Sequence, residues 1–271
     1  MPALAKPLPE YAGLKPWKLP EGILYGPFPT RRKGRALGVN LLPPGDKACT
    51  FNCVYCQCGW TPVEVFRSGE WKAKCPSLED VRRGIEEGFA GLLAEGNAPD
   101  AIVVSGNGEP TLYPQFEEAV DLVLAGRDQW FPKTRTMVLT AGTELGRADI
   151  RRACDRLDER CVKLDAGDAK TLKRIDIPLV PFTLDGLVKN CAKLRDVTIQ
   201  SFFTQGAVDN TTEAAIVAWL DRLDEIQPVE VQVYSLDRVP PAKGLKKVAR
   251  AELEAIAARA AQRLVVPAQV F

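Results

Sequence analysis

The segment CVKLD, residues 161–165, decides between two folds that the sequence allows. Side chains alternate between the two faces of an extended strand. Cys161, Lys163 and Asp165 therefore share one face, while Val162 and Leu164 share the other. A parallel sheet with helices on both sides is apolar on both faces. One polar face instead favours a barrel whose helices lie outside and whose polar face lines the lumen.

Two later segments repeat this alternation. They are VTIQSFFT (197–204) and VEVQVYSL (229–236), although Phe202 falls on the polar side of the first. The polar positions on this face are Thr198, Gln200 and Thr204 in the first segment, and Glu230, Gln232 and Tyr234 in the second. The three strands together predict a polar lumen.

Six β-rich segments alternate with amphipathic helical patterns, which predicts successive βαβ units and a parallel sheet. In the first helical pattern apolar residues recur at steps of three or four after Ser77, a residue suited to the N-cap position. We predict an α/β fold, a partial (β/α)6 TIM-type barrel formed as one domain by residues 35–271. The candidate strands are residues 35–42, 101–105, 136–140, 161–165, 197–204 and 229–236.

Residues 1–34 are rich in proline and are predicted to form an N-terminal arm extended over the barrel. The arm ends at RRKGR (31–35). This run could touch phosphates, but its place before the first strand favours solvated or ion-paired side chains at the barrel floor or outer surface. Between residues 57 and 76, the segments VEVF and EWKAK predict a small β-hairpin.

The composition excludes several classes of protein. The 271-residue chain has no histidine, which rules out Ser-His-Asp and Cys-His hydrolases and zinc sites that use histidine. A net charge of +1 argues against a surface dedicated to nucleic acid. Neither a membrane-length apolar run nor a signal peptide is found. We therefore expect a cytoplasmic protein whose eight cysteines stay reduced.

Four of these cysteines lie in CTFNCVYCQCG, residues 49–59, and Cys49, Cys53 and Cys56 have the spacing C-x3-C-x2-C. Buried core cysteines, a zinc site and a Cys53–Cys56 redox pair each fit the run poorly. Three thiolates on one loop would instead cap three irons of a [4Fe–4S] cluster and leave the fourth open to a ligand. Cys58 is interpreted as a neighbour, because capping by Cys56 and Cys58 together would strain the loop.

The C-x3-C-x2-C motif, with Tyr55 just before its last cysteine, resembles the radical S-adenosylmethionine (SAM) superfamily. Three further segments are similar to that family: SGNGEPTLYP (105–114), LTAG (139–142) and KLDAGD (163–168). More narrowly, YGPFPTRRKGRALGVNLLP, CVYCQ, GEPTLYP and VYSLDRVPPA resemble its wyosine-synthetase-like group. Ala141 and Lys163 depart from the family pattern, in which Asn and Ser are frequent. The arm also lacks the second cysteine set of the tRNA-modifying enzymes.

The resemblance implies a [4Fe–4S] cluster on Cys49, Cys53 and Cys56, with SAM bound at the open iron. An electron delivered to the cluster would cleave SAM and give a 5′-deoxyadenosyl radical that abstracts hydrogen from a substrate. The implied cofactor contacts are Tyr55 against the adenine, Gly106 and Gly108 at close backbone approaches, Glu109 to the amine, and Thr140 and Asp165 to the ribose.

Lys163, Gln200 and Tyr234 are predicted to face the substrate, a small molecule or peptide, although a nucleoside is also compatible. Lys163 either anchors a carboxylate or phosphate or pairs with Glu230, and Asp165 is alternatively a helix N-cap. The expected reductant is a flavodoxin or ferredoxin. The rival functions are a tRNA-base-modifying enzyme of the wyosine type, an iron–sulfur electron carrier with Cys58 as fourth ligand, and a zinc-dependent RNA-binding module.

Overall fold

A computed structural model describes residues 11 and 13–271 of the chain. Ten strands and eight α-helices alternate along these residues. The strands are β1 (Leu24–Pro29), β2 (Arg35–Val39), β3 (Ala101–Val104), β4 (Arg135–Thr140), β5 (Glu159–Lys163), β6 (Val197–Phe202), β7 (Thr204–Gly206), β8 (Glu230–Tyr234), β9 (Leu245–Lys247) and β10 (Ala268–Val270). The helices are α1 (Val63–Ser68), α2 (Leu78–Ala94), α3 (Phe116–Trp130), α4 (Ala148–Arg156), α5 (Ala169–Ile175), α6 (Leu184–Cys191), α7 (Glu213–Ile226) and α8 (Arg250–Leu264).

The central sheet has eight strands in the order β1-β2-β3-β4-β5-β6-β8-β10. Strand β1 is antiparallel to β2, and every other neighbouring pair is parallel. The six predicted strands are found as β2, β3, β4, β5, β6 and β8, so the α/β fold and the partial TIM-type barrel are confirmed.

The sequence predicted neither edge strand of this sheet. Strand β1 lies within the predicted arm, whose residues 1–10 and 12 are outside the described part of the chain. The division of the chain at residue 34 stays a prediction. Strands β7 and β9 pair with each other in a separate two-stranded ribbon.

The two faces of the sheet differ as the alternation predicts. Val162, Ile199 and Val231 are fully buried in the main core, which the outer helices cover. On the opposite face, Lys163 aligns with Gln200, and Gln200 aligns with Gln232. The polar lumen is confined to β5, β6 and β8, because the lumen side of β2 to β4 forms a small apolar cluster that also includes Cys161 of β5. Its buried members are Ala36, Ala101, Val103, Met137 and Cys161.

Helix α2 begins at the predicted N-cap. The Ser77 hydroxyl accepts a hydrogen bond from the Asp80 amide at 3.1 Å, and the Asp80 carboxylate accepts one from the Ser77 amide at 3.2 Å. This reciprocal pair is a capping box and fixes where the helix starts. The buried stripe of α2 then packs on α3. Cys154 and Cys191 are buried on α4 and α6, as the helical patterns indicated.

The predicted hairpin between residues 57 and 76 is wrong. VEVF lies in helix α1, and EWKAK forms a 3-10 helix, Glu70–Lys74. Between the two, Gly69 adopts a left-handed conformation with φ of 80°, which ends α1. The Phe66 and Trp71 rings stack at 6.0 Å across this turn. Four residues of alternating polarity were too short a signal to separate a strand from one helical turn.

None of the helices within residues 13–271 is long and apolar enough to cross a membrane.

The core can be tested on helix α2. Phe89 is fully buried, with its ring centroid 5.5 Å from that of Phe131, whereas Leu93 lies on the same helix and is 53% exposed. We expect Phe89→Ala to lower the free energy of unfolding by about 3–5 kcal/mol, because it opens a cavity. Leu93→Ala should change it by less than about 0.5 kcal/mol. Urea unfolding measures both, and equal effects would contradict the assigned packing.

Candidate active site

The cysteine-bearing loop, residues 43–62, follows β2 and lies at the carboxyl ends of the parallel strands. Active sites of β/α barrels are found at this end. Two other segments hold the loop by backbone hydrogen bonds. Ala48 donates to the Asn107 carbonyl at 2.9 Å, and Val54 donates to the Ile175 carbonyl at 2.9 Å. The position of the cysteines is therefore set by the chain after β3 and by the end of α5.

Gly108 permits the closest of these approaches. A Cβ atom on Gly108 would lie 1.8 Å from the Ala48 carbonyl oxygen, and the residue has φ of 135°. Gly106 is similarly enclosed, because its Cβ would lie 2.3 Å from Asn40 Oδ1. The sequence predicted close backbone approaches at both glycines. In this structure the partners are Ala48 and Asn40, and contacts of the glycines to a cofactor stay a prediction.

Lys47 brings a buried positive charge to the four sulfur atoms of the loop. It is 5% exposed, and its Nζ donates to the Gly59 carbonyl at 2.7 Å. Burial lowers the pKa of a lysine, but the sulfurs of Cys56 and Cys49 outweigh it and raise the pKa of Lys47. Lys47 was not predicted from the sequence, although its place two positions before Cys49 was a usable signal.

The thiols differ in their electrostatic environments. A side-chain hydrogen bond with Cys58 lowers the pKa of Cys56 to about 5, against the effect of burial, and Lys47 acts in the same direction. Burial raises the pKa of Cys49 to about 12. Cys53 is buried, with its pKa raised by burial. Metal binding would draw the proton from each ligating thiol, because the thiolate is the ligand.

This donor set fits an iron–sulfur cluster. Three thiols from one anchored loop supply the ligand type that such clusters use, and the Lys47 ammonium offsets part of the thiolate charge. Within residues 13–271 and residue 11, no three His, Cys, Asp or Glu side chains converge on a point that could hold a single metal ion. A [4Fe–4S] cluster does not require ligands that converge on one point, since each thiolate binds a different iron.

Glu109 is a buried carboxylate that joins the segment after β3 to the end of β4. Its Oε1 accepts hydrogen bonds from the hydroxyls of Thr111 at 2.5 Å and Thr140 at 2.6 Å, and its Oε2 accepts from the Ala141 amide at 2.5 Å. Burial raises the pKa of Glu109, although these hydrogen bonds act against it. The charge lies close enough to influence Cys49.

Thr140 is held by the same group. Its hydroxyl donates to Glu109 and accepts from the Gly142 amide at 2.9 Å. Residue 141 is Ala, where the family often has Asn, and its backbone N–H donates to Glu109. The predicted roles of Glu109 toward an amine and of Thr140 toward a ribose stay predictions.

Tyr55 projects from the cysteine loop toward the lumen. Its ring stacks on Phe202, with centroids 3.6 Å apart and planes 14° apart. Its hydroxyl donates to Asp165 Oδ2 at 2.5 Å and lies 3.4 Å from the Tyr234 hydroxyl. Phe202, whose place on the polar side was an exception in the sequence pattern, is thus the partner of Tyr55. The predicted contact of Tyr55 with adenine is not tested by this arrangement.

Lys163 lies between two carboxylates. Its Nζ forms ion pairs with Asp165 and Asp176, and both carboxylates are fully buried. The alternative pairing of Lys163 with Glu230 is therefore wrong. Asp165 is not a helix cap either, since Asp168 caps α5 by accepting from the amides of residues 170 and 171.

Asp176 was missed because it follows α5 and reaches the lumen only through the tertiary fold. Burial raises its pKa to about 7, although the Lys163 ammonium acts against this. Its backbone carbonyl also accepts from the Asn52 amide at 2.9 Å, beside Cys53. No local pattern in the sequence marks this position.

The predicted substrate-side residues share the lumen. Gln200 Nε2 donates to Gln232 Oε1 at 3.1 Å, and Gln232 Nε2 donates to Glu230 Oε1 at 3.1 Å. Lys163 stands beside Gln200, and Tyr234 lies next to Tyr55. The structure thus brings Lys163, Gln200 and Tyr234 to one side of the barrel, below the cysteine loop. Their catalytic roles stay predictions.

A parallel partial barrel with three cysteines at the carboxyl ends of its strands defines an α/β protein built to hold an iron–sulfur cluster. The family model of the radical SAM superfamily matches residues 47–223, which is more than half of the chain. The protein belongs to the radical SAM superfamily. Members use a [4Fe–4S] cluster and SAM, so the predicted family and cofactors are confirmed.

Among proteins of similar sequence, a UPF0026 protein of Synechocystis sp. is 33% identical over 224 residues, which cover 80% of this chain and 77% of that protein. The chain spans only about two thirds of the length of its relatives from Methanocaldococcus jannaschii and Helicobacter pylori.

Solved structures agree on the fold. A radical SAM methyltransferase from Sphaerobacter thermophilus has a TM-score of 0.61 at 16% identity, over 87% of this chain and 65% of that chain. A structure of TYW1, a wyosine synthetase, with a lysine-pyruvate adduct bound has a TM-score of 0.55 at 18% identity, over 84% of this chain and 73% of that chain. Identities this low show the shared fold alone.

The anchoring of the cysteine loop can be tested at Gly108. Gly108→Ala should abolish loading of iron and sulfide, because the new methyl group would displace Ala48 and the loop that follows it. Gly96→Ala is the matched control, since Gly96 also has positive φ but has nothing within 4 Å of an added Cβ. Iron and sulfide are measured after anaerobic reconstitution. Wild-type loading by Gly108→Ala would contradict the proposed constraint.

Proposed function

We propose that this protein is a radical SAM enzyme that holds a [4Fe–4S] cluster on Cys49, Cys53 and Cys56 and removes hydrogen from a substrate in the barrel lumen. When bound, the cluster and SAM supply a 5′-deoxyadenosyl radical through reductive cleavage of the sulfonium. The observation that carries the proposal is the placement of three thiols beside the buried Lys47, on a loop held at the mouth of a barrel.

The residues around the loop have separate proposed tasks. Lys47 offsets thiolate charge, and Gly108 keeps the loop against the segment after β3. Glu109 offers a desolvated carboxylate to the SAM amine, a charge-assisted contact that is strong where water is excluded. Gly106, Thr140 and Asp165 complete the proposed cofactor contacts, and Tyr55 supplies an aromatic surface next to the third cysteine.

Substrate binds in the lumen in this proposal. The lumen is apolar along β2 to β4 and polar along β5, β6 and β8, so it offers one side for a carbon skeleton and one for hydrogen bonds. Lys163, Gln200 and Tyr234 lie on the polar side. The barrel wall excludes water from a radical intermediate, which is the protein's general contribution in cofactor chemistry.

The partners follow from the same reasoning. The near-neutral charge of the chain favours a small-molecule or peptide substrate over a polynucleotide. The reductant is a flavodoxin or ferredoxin in this proposal, and the protein acts in the cytoplasm, where free thiols persist.

Single cysteine variants test the assignment of the ligands. Cys49→Ala, Cys53→Ala and Cys56→Ala should each lose the cluster and any 5′-deoxyadenosine formed from SAM under a strong reductant. Cys58→Ala should keep both, because Cys58 is not a ligand. Cys75→Ala is the control, since Cys75 lies outside the loop and packs near Trp71. Iron, sulfide and 5′-deoxyadenosine are measured without oxygen.

Three outcomes would contradict the proposal. Loss of the cluster in Cys58→Ala would favour an electron carrier with four cysteine ligands. Zinc without sulfide in protein prepared anaerobically would favour a zinc module. A protein that holds the cluster but never forms 5′-deoxyadenosine from SAM would refute the proposed SAM cleavage.

A further inference from the structure

The floor segment, residues 30–34, joins the end of β1 to the start of β2. Two of its three cations have acidic partners. Arg31 pairs with Asp237 at 3.5 Å, and Lys33 pairs with Glu159 at 2.5 Å. These pairs agree with the ion-paired role expected for RRKGR. Arg32 differs, because it forms no ion pair with any residue that the structure describes.

The Arg32 guanidinium contacts two aromatic rings. Its Cζ is 4.7 Å from the ring centroid of Tyr234 and 5.1 Å from that of Phe271. Its Nε and Nη2 atoms are shielded from solvent and have no hydrogen-bond partner among the described residues. Burying unsatisfied donors of a charged group destabilises a protein. The contacts with the two rings do not remove this cost, because they leave the N–H bonds unpaired.

The geometry of the unpaired atoms defines what they can bind. The N–H donors of a guanidinium lie in its own plane, and contacts with aromatic rings leave them without an acceptor. Nε and Nη2 are adjacent donors that can bind two oxygens of one carboxylate or phosphate through parallel hydrogen bonds. Lysine would offer a similar charge but not this planar fork.

The acidic side chains described around the lumen do not bind Nε and Nη2 of Arg32. Asp165 and Asp176 are occupied by Lys163. Glu159 pairs with both Lys33 and Arg135. Glu230 accepts from Gln232 and lies in no ion pair with Arg32. The described acidic side chains around the lumen therefore have partners other than Arg32.

Tyr234 links this site to the cysteine loop. Its ring contacts Arg32, and its hydroxyl is 3.4 Å from the hydroxyl of Tyr55, which lies between Cys53 and Cys56 in the sequence. On the side of β5, Cys161 is close enough for the Arg32 charge to act on its thiol. Arg32 thus occupies the same lumen as the predicted substrate-side residues.

We propose that Arg32 binds a carboxylate or phosphate group of the substrate and holds it in the lumen below Tyr55. This narrows the proposed function to anionic substrates, and it rests on that function in taking the lumen as the substrate site. The bound oxyanion would satisfy the two donors that are unpaired without it. The ring of Phe271, which contacts the guanidinium and follows the edge strand β10, is the group that we expect to move when the oxyanion binds.

Anion titration tests the site. Inorganic phosphate and succinate are added separately to the anaerobically reconstituted protein at constant ionic strength, and the thermal unfolding midpoint is recorded. A ligand that binds only the folded protein stabilises it by RT ln(1 + [L]/Kd), so the rise of the midpoint with concentration gives an apparent affinity. We expect such a rise for the wild type, and at least about a tenfold weaker apparent affinity for Arg32→Gln, from the loss of charge-assisted hydrogen bonds. The stronger anion identifies a carboxylate or a phosphate class.

Two variants separate anion recognition at Arg32 from general charge effects. Arg31→Gln removes an adjacent charge that is already paired and should titrate like the wild type. Arg32→Lys keeps the charge without the fork and should bind more weakly than the wild type but more tightly than Arg32→Gln.

A structural role for Arg32 makes a different prediction. Arg32→Met keeps the length of the side chain and removes the unpaired donors, so the urea midpoint should stay equal to that of the wild type or rise. A lower midpoint for Arg32→Met, without anion binding by the wild type, would assign Arg32 to structure and overturn the proposal. Equal anion affinity in Arg32→Gln and the wild type would also overturn it.

The titration does not depend on SAM cleavage. A protein that makes 5′-deoxyadenosine but binds neither anion would refute the anion site and leave the radical chemistry intact. A protein that takes up no cluster can be titrated as purified, and a rise abolished in Arg32→Gln would then support the anion site although the proposed function had failed.

Discussion

The contact between two backbones at Gly108 and Ala48 is the constraint on which the site depends. The carbonyl of Ala48 occupies the space of a Cβ at position 108, and it also accepts the Glu109 amide at 3.0 Å. One contact therefore fixes the start of the cysteine loop and the carboxylate that reaches β4. The proposed cluster ligands lie on the loop after β2, whereas Glu109 and Thr140 lie at the ends of β3 and β4, and this junction joins the two regions.

The lumen below this junction is divided by charge. Its apolar side is lined by small or flexible side chains, and its polar side has one cation shared by two carboxylates around Lys163. Breaking such a buried set would leave an uncompensated charge, which costs several kcal/mol. Arg32 departs from this rule, because its Nε and Nη2 are both buried without a partner among the described residues, whereas the buried Arg160 donates to three backbone carbonyls and leaves only its Nε unpaired. Natural proteins tend to keep unfavourable groups of this kind where function uses them.

Much of the fold and part of the site were predictable from local sequence. Alternation in CVKLD placed Val162 in the core and Lys163 in the lumen, because a strand has only two faces. Cysteine spacing is equally local, since one loop carries all three proposed ligands. The hairpin predicted from VEVF was wrong because four residues fit both a strand and a helical turn. Asp176 was invisible, because its position beside Lys163 depends on how α5 returns to the cysteine loop.

The role of Arg32 could not be predicted from local sequence either. In the sequence it is one of four cations in five residues, and composition alone favours a solvated or paired role for each of them. The expectation holds for Arg31 and Lys33, whose acids come from distant strands and loops. It fails at Arg32 because the turn between β1 and β2 places its guanidinium against the rings of Tyr234 and Phe271, where no described acid pairs with it. A run of cations in the sequence therefore does not predict which of them form ion pairs. Only the tertiary fold shows which cation has no acidic partner. Arg35 also has no ion pair among the described residues, but it is exposed and donates to Asn97, whereas the buried donors of Arg32 have no partner there and need a ligand to explain them.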